Sequence, residues 1–419
     1  MHDTSATPQK PSLLGRLTGR TGLIAISVFL NFSGFTLIIP VVPFTVARFV
    51  AQHDVALYVS LIVAAYAICT FLAAPVLGAL SDRFGRRPVL LLSLLGAAIG
   101  YLIFGIGGAL WVLFLGRIVE GLTAGSISAI YAYVADTHPP QERGAAYGLL
   151  GAAGGLGFML GPVAGGLLGQ VSLSAPLYAA AVLALCNALW IYFALPESHP
   201  VEDRATRLRW REFNAAAQLL VVLRDNSLRP LFAAALLFFA AGTMLQSNLS
   251  VFLRDLLSFN PAGIGFVLFG VGVMDIVSQG VVTPRLLPVL GERRLATVGL
   301  VINALGLVLI ALVAFHPSIM LLVGSMAVFT FGDGLFQPSS SALIAHAAPA
   351  GQQGRVQGAN QAQQSIARMV GPLGSAYLYL MFPGAPYFVG AVIVLAGAAI
   401  LAWSRRCATN AESAPRGFI

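Results

Sequence analysis

The chain is 419 residues long, 58% hydrophobic and only 10% charged, with a formal net charge of +8. Because a soluble domain carries roughly 25% charged residues, this composition excludes an ordinary soluble fold and predicts an all-α integral membrane protein. The positive charge falls in short clusters between apolar runs, which argues against nucleic acid as a partner and for the lipid bilayer.

Apolar runs of roughly 20 residues, each long enough to cross ~30 Å of hydrocarbon as a helix, recur twelve times. They start near Gly22, Ala56, Val89, Leu110, Ala145, Ala175, Pro230, Ala262, Leu295, Ser318, Val356 and Ala385, and are called the first to twelfth spans. The predicted segments are a tail at 1–21, a six-helix bundle at 22–195, a linker with an amphipathic helix at 196–229, a second six-helix bundle at 230–404 and a tail at 405–419.

The arginines predict the orientation of the chain in the membrane. If the spans alternate, nearly all of the loop arginines fall on one side, and the opposite loops keep only Arg48 and Arg254. Since cytoplasmic loops are enriched in Lys and Arg, both termini are predicted to be cytoplasmic. The N-terminal segment lacks a short apolar region with a cleavage site, so the first span is expected to be retained.

The loop after the second span combines an acid with three arginines. Asp82 is expected to begin a turn into the third span, and Arg83, Arg86 and Arg87 to face anionic headgroups. Gly85 permits a tight backbone turn there.

Five ionisable residues lie inside apolar spans: Arg117, Glu120, Asp275, Asp333 and Arg368. Each costs about 2.5–3.5 kcal/mol at a helix centre, so each must pair, face water or become neutral. Arg117 and Glu120 are three residues apart and share a helix face. They form either a purely structural ion pair or a site where Glu120 carries a proton beside Arg117.

Polar residues recur at helical spacing on four further apolar spans, as in the pair Asp275 and Gln279. Interhelical hydrogen bonds worth ~0.6 kcal/mol each could explain single glutamines, but they explain Asp275 and Asp333 poorly. The predicted proton-coupling residues are Asp275, Asp333, Glu120 and Arg117. The predicted substrate-binding residues, facing a shared central cavity, are Asn31, Phe35, Gln246, Asp275, Gln279, Asp333, Gln337, Gln361, Gln364 and Arg368.

The cysteines and histidines do not form a pattern that binds metal or catalyses a reaction. The three cysteines are scattered, and the six histidines lie at predicted span ends or loops. No Walker A sequence occurs, so ATP-driven transport is unsupported. We therefore expect no metal, no cofactor and no enzymatic activity.

The two halves of the chain are weakly related. Pro139, Gly144, Gly148, Gly161 and Pro162 recur 210 residues later, at Pro349, Gly354, Gly358, Gly371 and Pro372. Two six-helix halves with matching features predict a duplicated transporter architecture, with a binding site between the halves near the midplane.

These motifs resemble those of a known family. The segment from Gly78 to Leu90 matches the signature G-x-L-x-D-R-x-G-R-[RK] of the major facilitator superfamily. The chain is similar to the twelve-helix drug:proton antiporters of that superfamily and, from Ser81 to about Glu197, to bacterial tetracycline efflux proteins. The resemblance implies two six-helix pseudo-repeats around a central cavity.

The resemblance also implies roles for two motifs. The signature loop would latch the halves, with Asp82 meeting the start of the eleventh span around Gly354 and Arg355; its residues, with the partner of Arg86, are Gly78, Asp82, Arg83, Gly85, Arg86, Arg87 and Asp136. The fifth span matches the exporter motif at Gly157, Gly161, Pro162, Gly165 and Gly166, where Pro162 bends the helix. Arg117 would take part in proton translocation.

The chain departs from the tetracycline efflux proteins at three acidic or titratable positions. Asn31 replaces an aspartate of their first span, Gly100 replaces an aspartate of their third span, and Asp275 replaces a histidine of their eighth span. Tetracycline itself is therefore not the expected substrate.

The predicted function is export of amphipathic drugs or other small organic molecules, driven by the proton gradient, with the chain acting as a monomer in the bacterial inner membrane. Proton-linked transport of a sugar, organic anion or metabolite is the alternative, and a membrane sensor without transport is a further one. A carboxylate in a narrow cavity can be neutralised by a proton or by a cationic substrate, which would give obligatory exchange. Arg368 could instead hold an anionic group of the substrate.

Overall fold

The structure, a computed structural model, describes residues 19–199, 228–347 and 353–413. Helices account for almost all of these residues, and no strand occurs among them. The α-helices are α1 (Arg20–Leu37), α2 (Val42–Val46), α3 (Val55–Phe84), α4 (Arg86–Ile106), α5 (Leu110–Leu122), α6 (Ser126–Thr137), α7 (Pro140–Val171), α8 (Ala175–Ala194), α9 (Arg229–Leu257), α10 (Pro261–Val277), α11 (Thr283–Leu290), α12 (Glu292–Val313), α13 (Ile319–Ala347), α14 (Gln353–Met381) and α15 (Ala385–Ser413).

The twelve spans correspond in order to α1, α3, α4, α5 with α6, α7, α8, α9, α10 with α11, α12, α13, α14 and α15. Within the described residues, ten helical stretches are long and apolar enough to cross a membrane, and α1 is a shorter apolar helix. The count of twelve also requires α14, which is 29 residues long but rich in polar side chains. The predicted span starts agree with the observed helix starts to within a few residues.

Three features of the helices differ from the sequence-based predictions. Asp82 does not begin a turn, because α3 continues to Phe84 and only Gly85, at φ 102°, separates it from α4. The fourth span is broken at 123–125, where the Gly125 amide donates to the Ser93 hydroxyl (3.2 Å) instead of extending the helix. The eighth span contains a π-helical turn at Ser278–Val282.

The predicted terminal segments are only partly described. Helix α15 runs to Ser413, beyond the predicted end of the second bundle at 404. The amphipathic helix predicted within the linker lies outside the described residues, as does most of the N-terminal tail.

The two halves repeat each other in structure as well as in sequence. Helices α7 and α14 end at Val171 and Met381, a difference of 381 − 171 = 210 residues, and the helices that follow begin with the same offset. The Thr36 hydroxyl donates to the Gly157 carbonyl at 3.3 Å, and the Thr243 hydroxyl donates to the Ala367 carbonyl, 210 residues after Gly157, at 3.0 Å.

The halves meet through two related pairs of spans. The fifth span packs against the eighth, and the second packs against the eleventh. Each pair becomes the other when the two halves are exchanged, as expected for a duplicated fold.

The face where α1 begins, marked by the hydrogen bond between Thr21 and His138 (2.7 Å), is called the terminal face; the other is called the opposite face.

Candidate functional site

The ion pair of the fourth span lies among aromatic rings. Arg117 donates from Nη1 to Oε2 of Glu120 at 2.5 Å, and the two residues are 5% and 3% exposed. The guanidinium carbon lies 5.1 Å from the ring centroid of Tyr66, 5.9 Å from that of Phe35 and 6.0 Å from that of Phe104. Because the ion pair and the ring faces both stabilise the cation, they offset the cost of burying it.

Gly100 of the third span lies directly beside this ion pair. A side chain at position 100 would place its Cβ 2.9 Å from the Glu120 Cβ and 2.7 Å from the Gly116 carbonyl oxygen. The position where the resemblance expects an aspartate therefore has no room for one. Glu120 supplies a carboxylate from the neighbouring span at the same place.

The two acids of the second half have the same local partner. Gln279 donates from Nε2 to Oδ1 of Asp275 at 2.7 Å, and Gln337 donates from Nε2 to Oδ2 of Asp333 at 2.8 Å. The eighth and tenth spans pack together, and the two carboxylates are close enough to interact electrostatically. In each case the hydrogen bond comes from a neutral amide one turn away, and within the described part of the chain no cation forms an ion pair with either acid.

Asp275 lines a cavity of about 280 Å³ between the two halves. The first, fourth and fifth spans contribute the remaining wall, including Phe32, Tyr131 and Phe158. Of the described residues that line this cavity, Asp275 is the only one with a carboxyl, amine or guanidinium group. Along α1 the cavity begins about 12 Å from the terminal face, at 1.5 Å per residue from Arg20 to Val28.

The other residues predicted to bind substrate lie outside the lining of this cavity, although Asp333 lies close to Asp275. Asn31 donates to the Ser126 hydroxyl at 3.2 Å, and Phe35 packs on Tyr66. Arg368 of the second half lies close enough to Tyr66 to interact with it electrostatically. Gln246, Gln361 and Arg368 are exposed, whereas Gln279, Asp333, Gln337 and Gln364 are half-buried. Within the described part of the chain, Asp275 is the one predicted residue that lines the cavity.

Sequence reasoning missed most of the residues that form the cavity wall. Phe32, Tyr131 and Phe158 look like ordinary apolar residues of membrane spans. The available signal was helical spacing, since Val28 and Phe32 are four residues apart on α1 and Ile127 and Tyr131 are four residues apart on α6.

The glycines of the exporter motif bring two pairs of helices into contact. Added side chains at Gly157 and Gly161 would lie 2.6–2.7 Å from the Phe29 and Ser33 carbonyl oxygens of α1. An added side chain at Gly166 would overlap the backbone of Pro261 at the start of α10, in the other half. This motif therefore packs the fifth span against both the first and the eighth.

The signature loop forms a network of charges within the first half. Arg86 is 7% exposed, pairs with Asp82 one turn earlier, and donates from Nε to Oδ2 of Asp136 at 2.8 Å. The carboxylate of Glu197 accepts hydrogen bonds from the backbone amides of Arg86 (2.9 Å) and Arg87 (3.2 Å). The predicted pair of Arg86 and Asp136 is thus present. The side chain of Arg355, in the predicted partner region of Asp82, lies outside the described residues, so this contact stays a prediction.

Polar contacts join the two halves near the opposite face. Arg254 donates from Nη1 to the Pro43 carbonyl at 3.0 Å, and Gln52 donates to Oδ1 of Asp255 at 3.2 Å. The Arg254 side chain is only 9% exposed and also pairs with Asp255 at 2.7 Å. These contacts give a structural reason for Arg254 on the side of the membrane where the sequence places few arginines.

A sequence model of the Major Facilitator Superfamily matches residues 24–372 and, in a second match, 256–417. The chain belongs to the major facilitator superfamily. Tetracycline resistance protein, class C, of Escherichia coli is 35% identical over 395 residues, which cover 91% of this chain and 97% of that protein. Multidrug resistance protein 2 of Bacillus subtilis (strain 168) is 29% identical, with 91% and 94% covered.

Solved structures agree with this membership. The crystal structure of the human organic anion transporter MFSD10 has a TM-score of 0.72 and 25% identity, and the match covers 94% of this chain and all of that one. A peptide transporter, POT, has a TM-score of 0.75 at 16% identity, which supports the fold alone. The chain therefore has the major facilitator fold, spans the membrane several times, and is a transporter of small molecules rather than an enzyme.

Proposed function

We propose that this superfamily member exports amphipathic small organic molecules in exchange for protons, with no cofactor other than the proton gradient. The observation that carries this proposal is the position of Asp275, whose carboxylate lines the cavity between the halves and accepts a hydrogen bond from a neutral amide. The kinship to proteins named for tetracycline and multidrug resistance supports export as the direction.

The exchange follows from the electrostatics of the cavity. A carboxylate with little water around it is stabilised by a proton or by a nearby cation, and either one removes most of the attraction for the other. Asp275 and Asp333 interact electrostatically, so a charge on one makes a charge on the other less favourable. A substrate with a positive group would therefore displace a proton, and a proton arriving from the other side would displace the substrate.

Alternating access would use two contacts between the halves: the polar contact at the opposite face and the predicted contact of the signature loop with α14. With the opposite face joined through Arg254 and Asp255, the cavity of Asp275 would exchange its contents with the terminal face. Rocking of one half against the other would break these contacts and bring the signature loop at Asp82 against the start of α14. The arginine pattern supports a terminal face that lies in the cytoplasm, and we propose a bacterial inner membrane as the location, with both termini inside.

Drug susceptibility in a bacterial strain that lacks its own efflux pumps tests this proposal. The protein should raise the inhibitory concentration of several cationic or zwitterionic drugs, and Asp275→Asn should abolish that effect at equal membrane abundance. Glu142→Gln, which changes an exposed acid at the start of α7, is the matched control and should keep full resistance. Equal resistance with Asp275→Asn would reject Asp275 as the exchange site, and greater drug accumulation in cells with the protein would reject export.

A further inference from the structure

The second half contains a counterpart of the signature loop. Gly85, at φ 102°, separates α3 from α4, and Gly291, at φ 71°, separates α11 from α12. Arg86 is the first residue of α4 and Glu292 is the first residue of α12, a difference of 292 − 86 = 206 residues. Glu292 therefore occupies the position in the second half that Arg86 occupies in the first.

The ends of the fourth and tenth spans also correspond. Helix α6 ends at Thr137 and α13 ends at Ala347, a difference of 347 − 137 = 210 residues. The residue before the end is Asp136 in α6 and His346 in α13. His346 therefore occupies the position of Asp136, which is the partner of Arg86.

The same contact exists in both halves, with the charges exchanged. In the first half, Nε of Arg86 lies 2.8 Å from Oδ2 of Asp136. In the second half, Nδ1 of His346 lies 3.1 Å from Oε2 of Glu292. Glu292 lies in the first turn of α12 and His346 in the last turn of α13, so an acid and a cation are each favourable at these helix ends.

The two contacts differ in how they respond to pH. Arg86 keeps its charge at every physiological pH, so its partner always meets a cation. An imidazole changes its charge between about pH 5 and 8, and the protonated form makes the stronger contact with a carboxylate. The His346 side chain is 74% exposed, so it equilibrates with the solution at the terminal face.

Glu292 and His346 line an open cavity of about 650 Å³ at the terminal face. Among the described residues that line it, Glu292 is the one acid and His346 is the one histidine. The remaining charges in the lining are Arg293, which donates to the Ser404 hydroxyl of α15, and Arg294, which is exposed. The wall contributed by α11 is apolar, so the charge of His346 decides whether this pair is ionic.

We propose that Glu292 and His346 form a pH-sensitive pair, which ties the ninth span to the tenth when the solution at the terminal face is acidic. Because the basic partner is a histidine, the tie is present at low pH and is lost as the pH rises through about 7 to 8. The loop that it holds is the counterpart of the predicted latch, so its release should lower the transport rate. That last step rests on the proposed function, whereas the pair itself does not.

Hydrogen exchange of the full-length protein in lipid nanodiscs tests the pair. Wild type is compared with His346→Gln at the same pH, which cancels the intrinsic pH dependence of exchange. At pH 6 the amides of the last turn of α13 and the first two turns of α12 should exchange about twofold to threefold more slowly in wild type. At pH 8.5 the two proteins should exchange at the same rate. His316→Gln, at an exposed histidine between the other ends of α12 and α13, is the matched control and should behave as wild type at both pH values.

A double variant exchanges the charges of the pair. Glu292→Arg with His346→Asp recreates the residues of the first half, so its protection should be the same at pH 6 and pH 8.5. Equal exchange of wild type and His346→Gln at pH 6 would overturn the inference. A difference between these two proteins that persists unchanged at pH 8.5 would also overturn it, because the contact would then not depend on the charge of His346.

Flux into liposomes distinguishes this inference from the proposed function. With the pH gradient held constant, raising the pH at the terminal face from 6 to 8 should lower wild-type flux about twofold more than that of the double variant. Equal pH dependence of the two would reject control of transport by the pair. Absence of any gradient-driven flux, together with the expected hydrogen exchange, would reject proton-coupled export and leave the pH-sensitive pair standing.

Discussion

The hydroxyl of Ser60 donates a 2.9 Å hydrogen bond to Oδ1 of Asn248, and this bond joins the two halves where neither residue is exposed. Asn248 in turn donates to the Ser375 hydroxyl at 2.8 Å, within the second half. Together with the pair Arg254 and Asp255, this network closes the opposite face from its surface inward. Any cycle that opens the cavity to that face has to break these contacts.

Weakening this closure should expose the interface between the halves. Arg254→Gln removes the cation that holds both the Pro43 carbonyl and Asp255, so the open form should become more populated. The measurement is the reaction rate of a cysteine introduced at Ser60, in a variant without native cysteines, with a membrane-impermeant thiol reagent added at the opposite face. The rate should rise severalfold, which corresponds to a shift of about 1 kcal/mol in the opening equilibrium.

Arg48→Gln is the control for that measurement, since it removes the other arginine of the same face. It should leave the rate at the introduced cysteine unchanged. Equal rates in the Arg254→Gln variant and its parent would show that Arg254 does not hold the halves together.

The signature loop should be required for transport but not for folding. Asp82→Asn leaves Arg86 paired with Asp136 at 2.8 Å, so the loop should keep its structure and the protein its thermal stability to within about 1 kcal/mol. Transport should nevertheless fall strongly, because the Asp82 carboxylate is predicted to hold α14 in the other conformation. Transport at the wild-type rate by Asp82→Asn would contradict the latch.

Variants of the ion pair of Arg117 and Glu120 should distinguish a structural role of the pair from a role in proton coupling. Glu120→Leu alone leaves a buried cation uncompensated, at a cost of about 3–5 kcal/mol in stability, whereas the double variant Arg117→Met with Glu120→Leu should recover most of that loss. If the pair takes part in proton translocation, the double variant folds but its flux no longer responds to a pH gradient. A folded double variant with normal coupling would restrict the pair to a structural role.

Gly161 should tolerate no side chain. A Cβ there would lie 2.7 Å from the Ser33 carbonyl oxygen and would overlap the Thr36 hydroxyl, so Gly161→Ala has to separate α1 from α7. We expect a loss of about 1–3 kcal/mol in stability, measured by thermal unfolding in detergent. Gly148→Ala, in open space on the same helix, should instead gain up to about 1 kcal/mol from helix propensity. Equal stability of the two variants would contradict the close packing of these helices.

The sequence predicted the spans well because apolar runs of bilayer length have distinct ends, as at Gly85 and Gly291, where the backbone has positive φ. It could not predict the break at 123–125, because that break depends on a hydroxyl of Ser93 from another span. The length of α3 was also underestimated, because a polar residue such as Asp82 resembles a loop residue in the sequence. The structure shows that Arg86 pairs with it one turn later.

The candidate site was predicted only in part. Asp275 stood out because a carboxylate in an apolar span is costly unless it pairs, faces water or becomes neutral. The cavity around it depends on which faces of the first, fourth and fifth spans meet the eighth, and helical spacing within one span does not contain that information. For the same reason the glycines of α7 could not be divided by sequence into those that pack and those that line the cavity.

Proton release on substrate binding is the measurement that tests exchange at the Asp275 carboxylate. Purified protein in weakly buffered detergent solution, mixed with a saturating cationic substrate, should release protons that a pH indicator detects. We expect measurable release from wild type, loss of that release in Asp275→Asn, and full release from the control Glu142→Gln. Substrate binding without proton release by wild type, or equal release by Asp275→Asn, would contradict exchange at this carboxylate.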